Sequence, residues 1–288
     1  PSGCSSAEVP VDLHLHSSAS DGADSPAELM RRAAHEGVTV AALVDHDTTA
    51  GLVEAGRAAE AAGVRLVPGI ELSVDHRRSK IHLLVYFVDP MRGSLNDELA
   101  GLIAGRNERN DAIVARLGSM GYDVSIDDVL ERAGGASVGR PHIADALIAK
   151  GYFTHRNEVF EHLLHDGGPA YVERSRLTAR HAIELARADG CVPVVAHPVT
   201  INPGDLTYDE LFAELADIGL GGIEAHHPMH APELRTHLAK VAESLGMAAT
   251  GGSDYHGETT RTYRIRFGNG DLRIPEDAID QLEAQRNR

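Results

Sequence analysis

Tryptophan is absent from this chain, and aromatic residues make up only 4% of it. A platform that stacks successive bases needs such rings, so a base-stacking module is not expected. Basic residues are also scarce: 27 Lys and Arg stand against 43 Asp and Glu, for a net charge of −16. That balance repels long nucleic acids and acidic membranes, while a local metal or arginine site can still attract one phosphate. Only two cysteines occur. Cys4 falls in a tail without pattern and Cys191 opens an apolar run, so no disulfide framework is expected and a reducing, cytoplasmic setting is. No stretch approaches ~18 consecutive apolar residues, so no membrane span is read. The opening PSGCSSAE has neither a basic start nor an apolar run, so no signal peptide is read there.

What is present is a core-sized chain. With 288 residues and 42% hydrophobic content it fits one large domain, or one domain with an insertion. Short apolar runs such as VPVDLHLHS, VTVAALVDHD and VRLVPGIELSV alternate with amphipathic helical patterns. In SPAELMRRAAHEG, Ser25 reads as the N-cap, Pro26 as the first helical residue and Gly37 as the end. KIHLLVYFV follows VRLVPGIELSV after a short polar turn, and the strand–helix rhythm returns at CVPVVAHPV, LGGIEAHHP and MAATGGSDYHG. Strands separated by helices imply parallel pairing with right-handed crossovers. About seven of them favour a closed or nearly closed α/β barrel over an open doubly wound sheet. The rhythm breaks at residues 89–176, which read as a helical insertion over one end of a barrel built from 1–88 and 177–288.

Nearly every strand turns polar at its C-terminal end: His14 and His16, His46, Glu71, His197, Glu224 to His227, Asp254 and His256. In a parallel barrel those ends share one rim, where active sites are built. Strand residues two apart share a face, so His14 and His16 aim together, with Asp12 on their side and Leu13 and Leu15 facing the helices. A hydrogen-bonded structural cluster accounts for one such pair as well as a metal does. Two pairs together with His46, Glu71, His82 and His197 favour metal. Mixed imidazole and carboxylate donors suit Zn, Mn or Fe rather than Ca or Mg, and so many ligands imply two or three ions. His35, His76, His155, His162, His165, His181 and His237 read as surface residues.

The motifs DLHLHSSASDG, DHDT, PGIELS, IHLLVYFVD, VAHP and GSDYHG resemble, in order, those of the PHP (polymerase and histidinol phosphatase) domain family within the amidohydrolase-like hydrolases. The resemblance implies an α/β fold, a distorted (β/α)7 TIM-like barrel, with the helical insertion covering its C-terminal rim. It also implies two or three divalent ions (Mn, Fe or Zn). By position, His14, His16, Glu71 and Asp254 would hold the first; Glu71, His82 and His197 the second; Asp21, His46 and His256 the third. The implied nucleophile is a metal-bridging hydroxide. Asp12 would orient a ligand histidine, and Asp47 with Thr48 would cap the next helix. VGRPH resembles the segment that grips phosphate in the nucleotide-phosphatase branch, which marks Arg140 and His142. His227 and His230 would contact phosphate or protonate the leaving group.

That branch includes 3′,5′-nucleoside bisphosphate phosphatases, exonucleases trimming short 5′-phosphorylated RNA, and cyclic phosphate hydrolases. The acidic balance favours a small phosphorylated nucleotide, with the 5′-3′ exonuclease as runner-up and no long nucleic acid or membrane as partner. A histidinol phosphatase is a more distant reading. A non-catalytic metal or nucleotide sensor would show broken ligation, and no ligand position is lost. A C–N hydrolase of the wider superfamily would want a lysine at a strand end, and Lys80, Lys150 and Lys240 lie elsewhere.

Overall fold

The computed structural model describes residues 10–77, 79–133, 138–173, 176–257 and 263–288; Cys4 lies outside them. Strands β1 (Val11–Leu15), β2 (Val40–Leu43), β3 (Arg65–His76), β4 (Ser79–Tyr86), β6 (Val192–Val195), β7 (Gly222–His226) and β8 (Ala248–Gly251) pair in that order, and the short β5 (Leu177–Thr178) joins β3. A parallel bridge from Leu15 to Tyr255 brings the β8 side back to β1, so the sheet is a nearly closed barrel. Helices α1 (Pro26–His35), α2 (Leu52–Ala62), α7 (Ala179–Ala188), α8 (Tyr208–Ile218) and α9 (Pro232–Ser244) connect the strands, and α10 (Ala278–Arg286) ends the chain. Ser25 caps α1 through a full capping box with Glu28, and Pro26 opens it, as the pattern predicts.

Two expectations about the strands need correction. β4 is antiparallel to both β3 and β6, so the strands are not all parallel. The β3–β4 connection is too short for a crossover, and a short turn allows only antiparallel pairing. His82 therefore reaches the rim from near the start of its strand. Leu13 and Leu15 do not share surroundings either. Leu13 packs with Val40, Ala42, Tyr86 and Val194, whereas Leu15 packs with Leu29, Met30 and Leu52 of α1 and α2. The β1–β2 register shifts between Asp12 and Leu15, and this irregularity breaks the simple alternation.

Between β4 and β5 lie α3 (Ser94–Ser119), α4 (Ile126–Ala133), α5 (Arg140–Ala149) and α6 (Arg156–Val159), the last running into a π turn at Phe160–Leu164. Ile113, Leu117, Val129, Ile143, Leu147 and Leu163 form a core of their own there. Leu95 and Leu99, at the other end of α3, pack instead with α7 and the sheet. The helix α3 thus belongs to both bodies. No helix among the described residues is long and apolar enough to cross a membrane.

Candidate active site

The strand ends converge as their sequence implies. His14, His16 and Glu71 are fully buried, and Asp254 and His256 nearly so. His14 Nε2 lies 3.1 Å from His16 Nε2 and 3.3 Å from Glu71 Oε2, and His16 Nε2 lies 3.1 Å from the same oxygen. Asp254 Oδ1 stands 3.6 and 3.5 Å from the two nitrogens. An ion held tetrahedrally at about 2.0–2.1 Å requires donor–donor edges of roughly 3.3–3.4 Å. The five observed edges bracket that value, so these four donors fit one ion.

Glu71 turns its other oxygen to a second group: Oε1 is 2.7 Å from His82 Nδ1 and 2.9 Å from His197 Nε2. A third group gathers His16, Asp21, His46 and His256, with Asp21 Oδ1 3.4 Å from His256 Nε2 and Oδ2 3.9 Å from His46 Nε2. The nine residues that the sequence nominates therefore all meet, but in four overlapping groups rather than the expected three: Glu71 gathers His82 with His46 and His197 with His14, while His16 is shared between the Asp254 group and the Asp21 group. His16 Nδ1 is buried without a hydrogen bond, a cost that a nearby cation relieves.

The electrostatics follow from burial against pairing. Burial opposes charge on His14, but Glu224, Glu71 and Asp254 outweigh it and hold its pKa well above the ordinary value. Burial and the neighbouring His256 push His16 down to about 3. Glu71 stays well below the carboxylate range because His46, His82 and His14 overcome its desolvation. His16 and Glu71 are thus held in the deprotonated form that a cation requires, whereas His14 has to give up a proton to the carboxylates around it before it can serve as a donor.

The backbone is bent to make this ring. Asp47 (φ 51°), His197 (φ 28°) and Asp254 (φ 51°) adopt positive φ, which costs a non-glycine residue energy and clusters at functional sites. Gly252 passes so close to β1 that a Cβ there would lie 2.2 Å from His14 Cβ, so no larger residue fits.

Several orienting residues differ from expectation. Asp12 does not touch a histidine ring. Its carboxylate accepts from the backbone N–H of Ser253 at 2.9 Å and of Arg266 at 2.7 Å, tying β1 to the β8 loop. Glu224 orients His14 instead, accepting from Nδ1 at 2.8 Å and from the His197 backbone N–H at 2.7 Å. Asp47 does not cap α2: Gly51 is the N-cap, with no side-chain bond. Asp47 pairs with Arg106 of α3 and accepts from the Ser73 backbone N–H. Asp45 accepts from Ser17 and Ser20 and so fixes the loop that carries Asp21.

Beside the ring opens a cavity of about 380 Å³, lined by Asp21, His46 and His82 and by Lys80, Arg106, Arg109, Arg140, His142 and Arg176. Arg140 thus reaches the cavity, held by Asp166 at 2.9 Å and the Leu164 carbonyl at 2.8 Å. His142 Nδ1 accepts from the Gly139 N–H, which leaves Nε2 to carry the proton. Sequence reasoning missed Arg106, Arg109 and Arg176, and it set Lys80 apart from the strand ends. The three-residue spacing of Arg106 and Arg109 on one helix was the available signal.

His227 lies against the ring, its Nε2 3.3 Å from Asp254 Oδ2 and its Nδ1 accepting from the Met229 N–H. His230 is withdrawn: Nδ1 donates to the Ala225 carbonyl at 2.9 Å, and Nε2 faces the Val199 N–H at 3.5 Å. Burial also lowers its pKa to about 4, so it braces the loop uncharged and is a poor proton donor. The seven histidines read as surface residues are all exposed or half-buried.

The family model for the PHP domain matches residues 12–124. A phosphoribosyl 1,2-cyclic phosphate 1,2-diphosphodiesterase of Eggerthella lenta is 33% identical over 260 residues, covering 89% of this chain and 97% of that protein. A 3′,5′-nucleoside bisphosphate phosphatase of Chromobacterium violaceum is 32% identical, covering 85% and 87%. A 5′-3′ exoribonuclease of Haemophilus influenzae is 33% identical, covering 85% and 89%. Among solved structures, a Bifidobacterium adolescentis protein assigned as a metal-dependent phosphoesterase superposes with a TM-score of 0.85 at 31% identity, covering 96% of each chain.

Proposed function

This chain belongs to the PHP-domain family of metal-dependent phosphoesterases, and we propose that its substrate is a small phosphorylated nucleotide such as a 3′,5′-nucleoside bisphosphate. The observation that carries this reading is the cavity in which three ligand candidates and five cationic side chains meet. A cavity of about 380 Å³ suits a mononucleotide better than a chain.

Two or three ions of Mn, Fe or Zn are the proposed complement, held by the overlapping donor groups that share Glu71, His14, His16 and His46. Such ions supply an activated water and neutralise the charge that develops on phosphate oxygens. The protein's own residues do the rest. Glu224 fixes the His14 ring so that Nε2 faces the ring of donors. Arg140, Arg106 and Arg109 offer planar forks to phosphate oxygens, a match that lysine cannot reproduce. His142 offers an uncharged N–H to the same cavity. His227 carries its proton on Nε2, beside Asp254, and is the remaining candidate for donation to a leaving group.

The runner-up is a 5′-3′ exonuclease acting on short 5′-phosphorylated RNA, and a cyclic phosphate hydrolase fits the same site. Relatives carry each of these three names. The net charge of −16 disfavours the longer substrate. Product analysis on one metal-loaded preparation separates them: free phosphate from adenosine 3′,5′-bisphosphate, the ring-opened monoester and any free phosphate from a ribose cyclic phosphate, and 5′-mononucleotides from a 5′-phosphorylated trinucleotide. The bisphosphate should give the highest kcat/KM. A preference of tenfold or more for either other substrate would replace the reading.

A further inference from the structure

Building on the reading of a phosphorylated substrate, we propose that Asp166 is an internal anion. It occupies a cationic subsite made by Lys80 and Arg140, is displaced by a second anionic group of the substrate, and so sets the preference for molecules that carry two such groups.

Asp166 gives one oxygen to each cation: Oδ2 accepts from Lys80 Nζ at 2.7 Å and Oδ1 from Arg140 Nη1 at 2.9 Å. Two donors on two oxygens is the geometry that a phosphate also accepts. The two cations come from different bodies. Lys80 stands on β4 two residues before His82, hence on the same strand face, and Arg140 opens α5. Both line the cavity that His46 and His82 also line. One anion at the ligand ring therefore leaves this pair available for another.

Neither cation depends on Asp166 for its place. Lys80 also donates to the Tyr171 hydroxyl at 2.7 Å and sits 4.9 Å from that ring's centre. Arg140 also donates to the Leu164 carbonyl and lies over the rings of Phe160 and Tyr171, at 5.8 and 5.4 Å. Asp166 itself is in an irregular turn after the π turn, and its side chain is 51% exposed. A pair that exposed is screened and cheap to open, and the released carboxylate regains water. A phosphate brings more charge and more acceptor oxygens to the same two donors.

A plain brace and an internal competitor give opposite signs when the charge is removed. The direct probe is sulfate, titrated calorimetrically into the full chain at low salt. Asp166→Asn keeps the shape and removes the charge, and it should tighten sulfate about three- to tenfold, the range for a half-exposed pair with two cations. Adding Lys80→Met to that variant should remove the gain, which assigns the gain to this subsite and not to the ligand ring. The advantage of Asp166→Asn should narrow as salt rises to ~0.5 M. In turnover, KM for adenosine 3′,5′-bisphosphate should fall by a similar factor, while KM for p-nitrophenyl phosphate, with one phosphate, moves less than about twofold. Sulfate affinity that is unchanged or weaker in Asp166→Asn makes Asp166 a brace and overturns the proposal. If the wild type turns over no phosphomonoester, the substrate reading fails, and the sulfate titration still judges Asp166 by itself.

Discussion

At His14 the two ring nitrogens have separate tasks. Nε2 faces His16, Glu71 and Asp254, while Nδ1 donates to Glu224. Burial would raise the Glu224 pKa, but His14 and His227 hold it at about 2, so it stays ionised and keeps the imidazole aimed. A carboxylate behind a ligand histidine typically governs metal affinity by about 10- to 100-fold. Glu224→Gln should lower the affinity for the first ion by that factor with little loss of fold, read by competition against a chelator. Affinity equal to wild type would mean that the contact does not tune the ligand. The candidate donors themselves were legible because His-X-His and Asp-X-His at strand ends set two donors on one face of a rigid element. Their supporting residues were not. Asp12, two residues from His14, is the natural candidate on alternation alone, but the irregularity in β1 sends it to the backbone of Ser253 and Arg266. Glu224 stands 210 positions away, and only the closed barrel brings it near.

Among the elements, α3 links the helical segment between β4 and β5 to the candidate site. Leu95 and Leu99 anchor one end to the barrel and Ile113 and Leu117 anchor the other among α4, α5 and α6. Arg106 sits between these anchors and pairs with Asp47, the neighbour of His46. Asp47 is fully buried and Arg106 nearly so. Removing one partner of a buried pair leaves an uncompensated charge, at a cost of about 3–5 kcal/mol. Arg106→Ala should lower unfolding stability by that amount, read from the shift of a denaturant midpoint. A loss under ~1 kcal/mol would show that the pair is solvated in solution. The sequence pointed instead to Asp47 as a helix cap, because Asp-Thr before an amphipathic run is a common start signal. The helix begins later, at Leu52, and the cap residue is Gly51. The reversal of β4 was visible only as a short turn, yet it accounts for His82 lying near the beginning of its strand and His197 just beyond the end of its own.

At the scale of the whole molecule, charge and shape act together. A net −16 surrounds a cavity that gathers five cationic side chains, so attraction is local and the exterior repels polyanions. The alternation of strands and helices made the barrel legible, and the break at residue 89 marked where the regular rhythm stops. The arginines of α3 offered only their three-residue spacing as a signal, which places them on one helix face without telling which surface that face meets. The same charge argument predicts substrate length. Specificity constants should fall as the 3′ chain grows beyond a few nucleotides, because each added phosphate meets an acidic surface. A series from the bisphosphate to a 5′-phosphorylated ~20-mer, followed by phosphate and nucleotide release, checks this; equal or rising values would favour the exonuclease.

The ring of six histidines and three carboxylates, buried at its centre and open at Asp21, His46 and His82, should hold the ions on which turnover depends. The most direct measurement of this is phosphate release from adenosine 3′,5′-bisphosphate by one preparation before chelation, after it, and after Mn is returned, with metal content determined at each stage. Turnover should vanish as two or three equivalents leave and should return with them. Release that persists at the original rate with less than one equivalent bound would contradict the account.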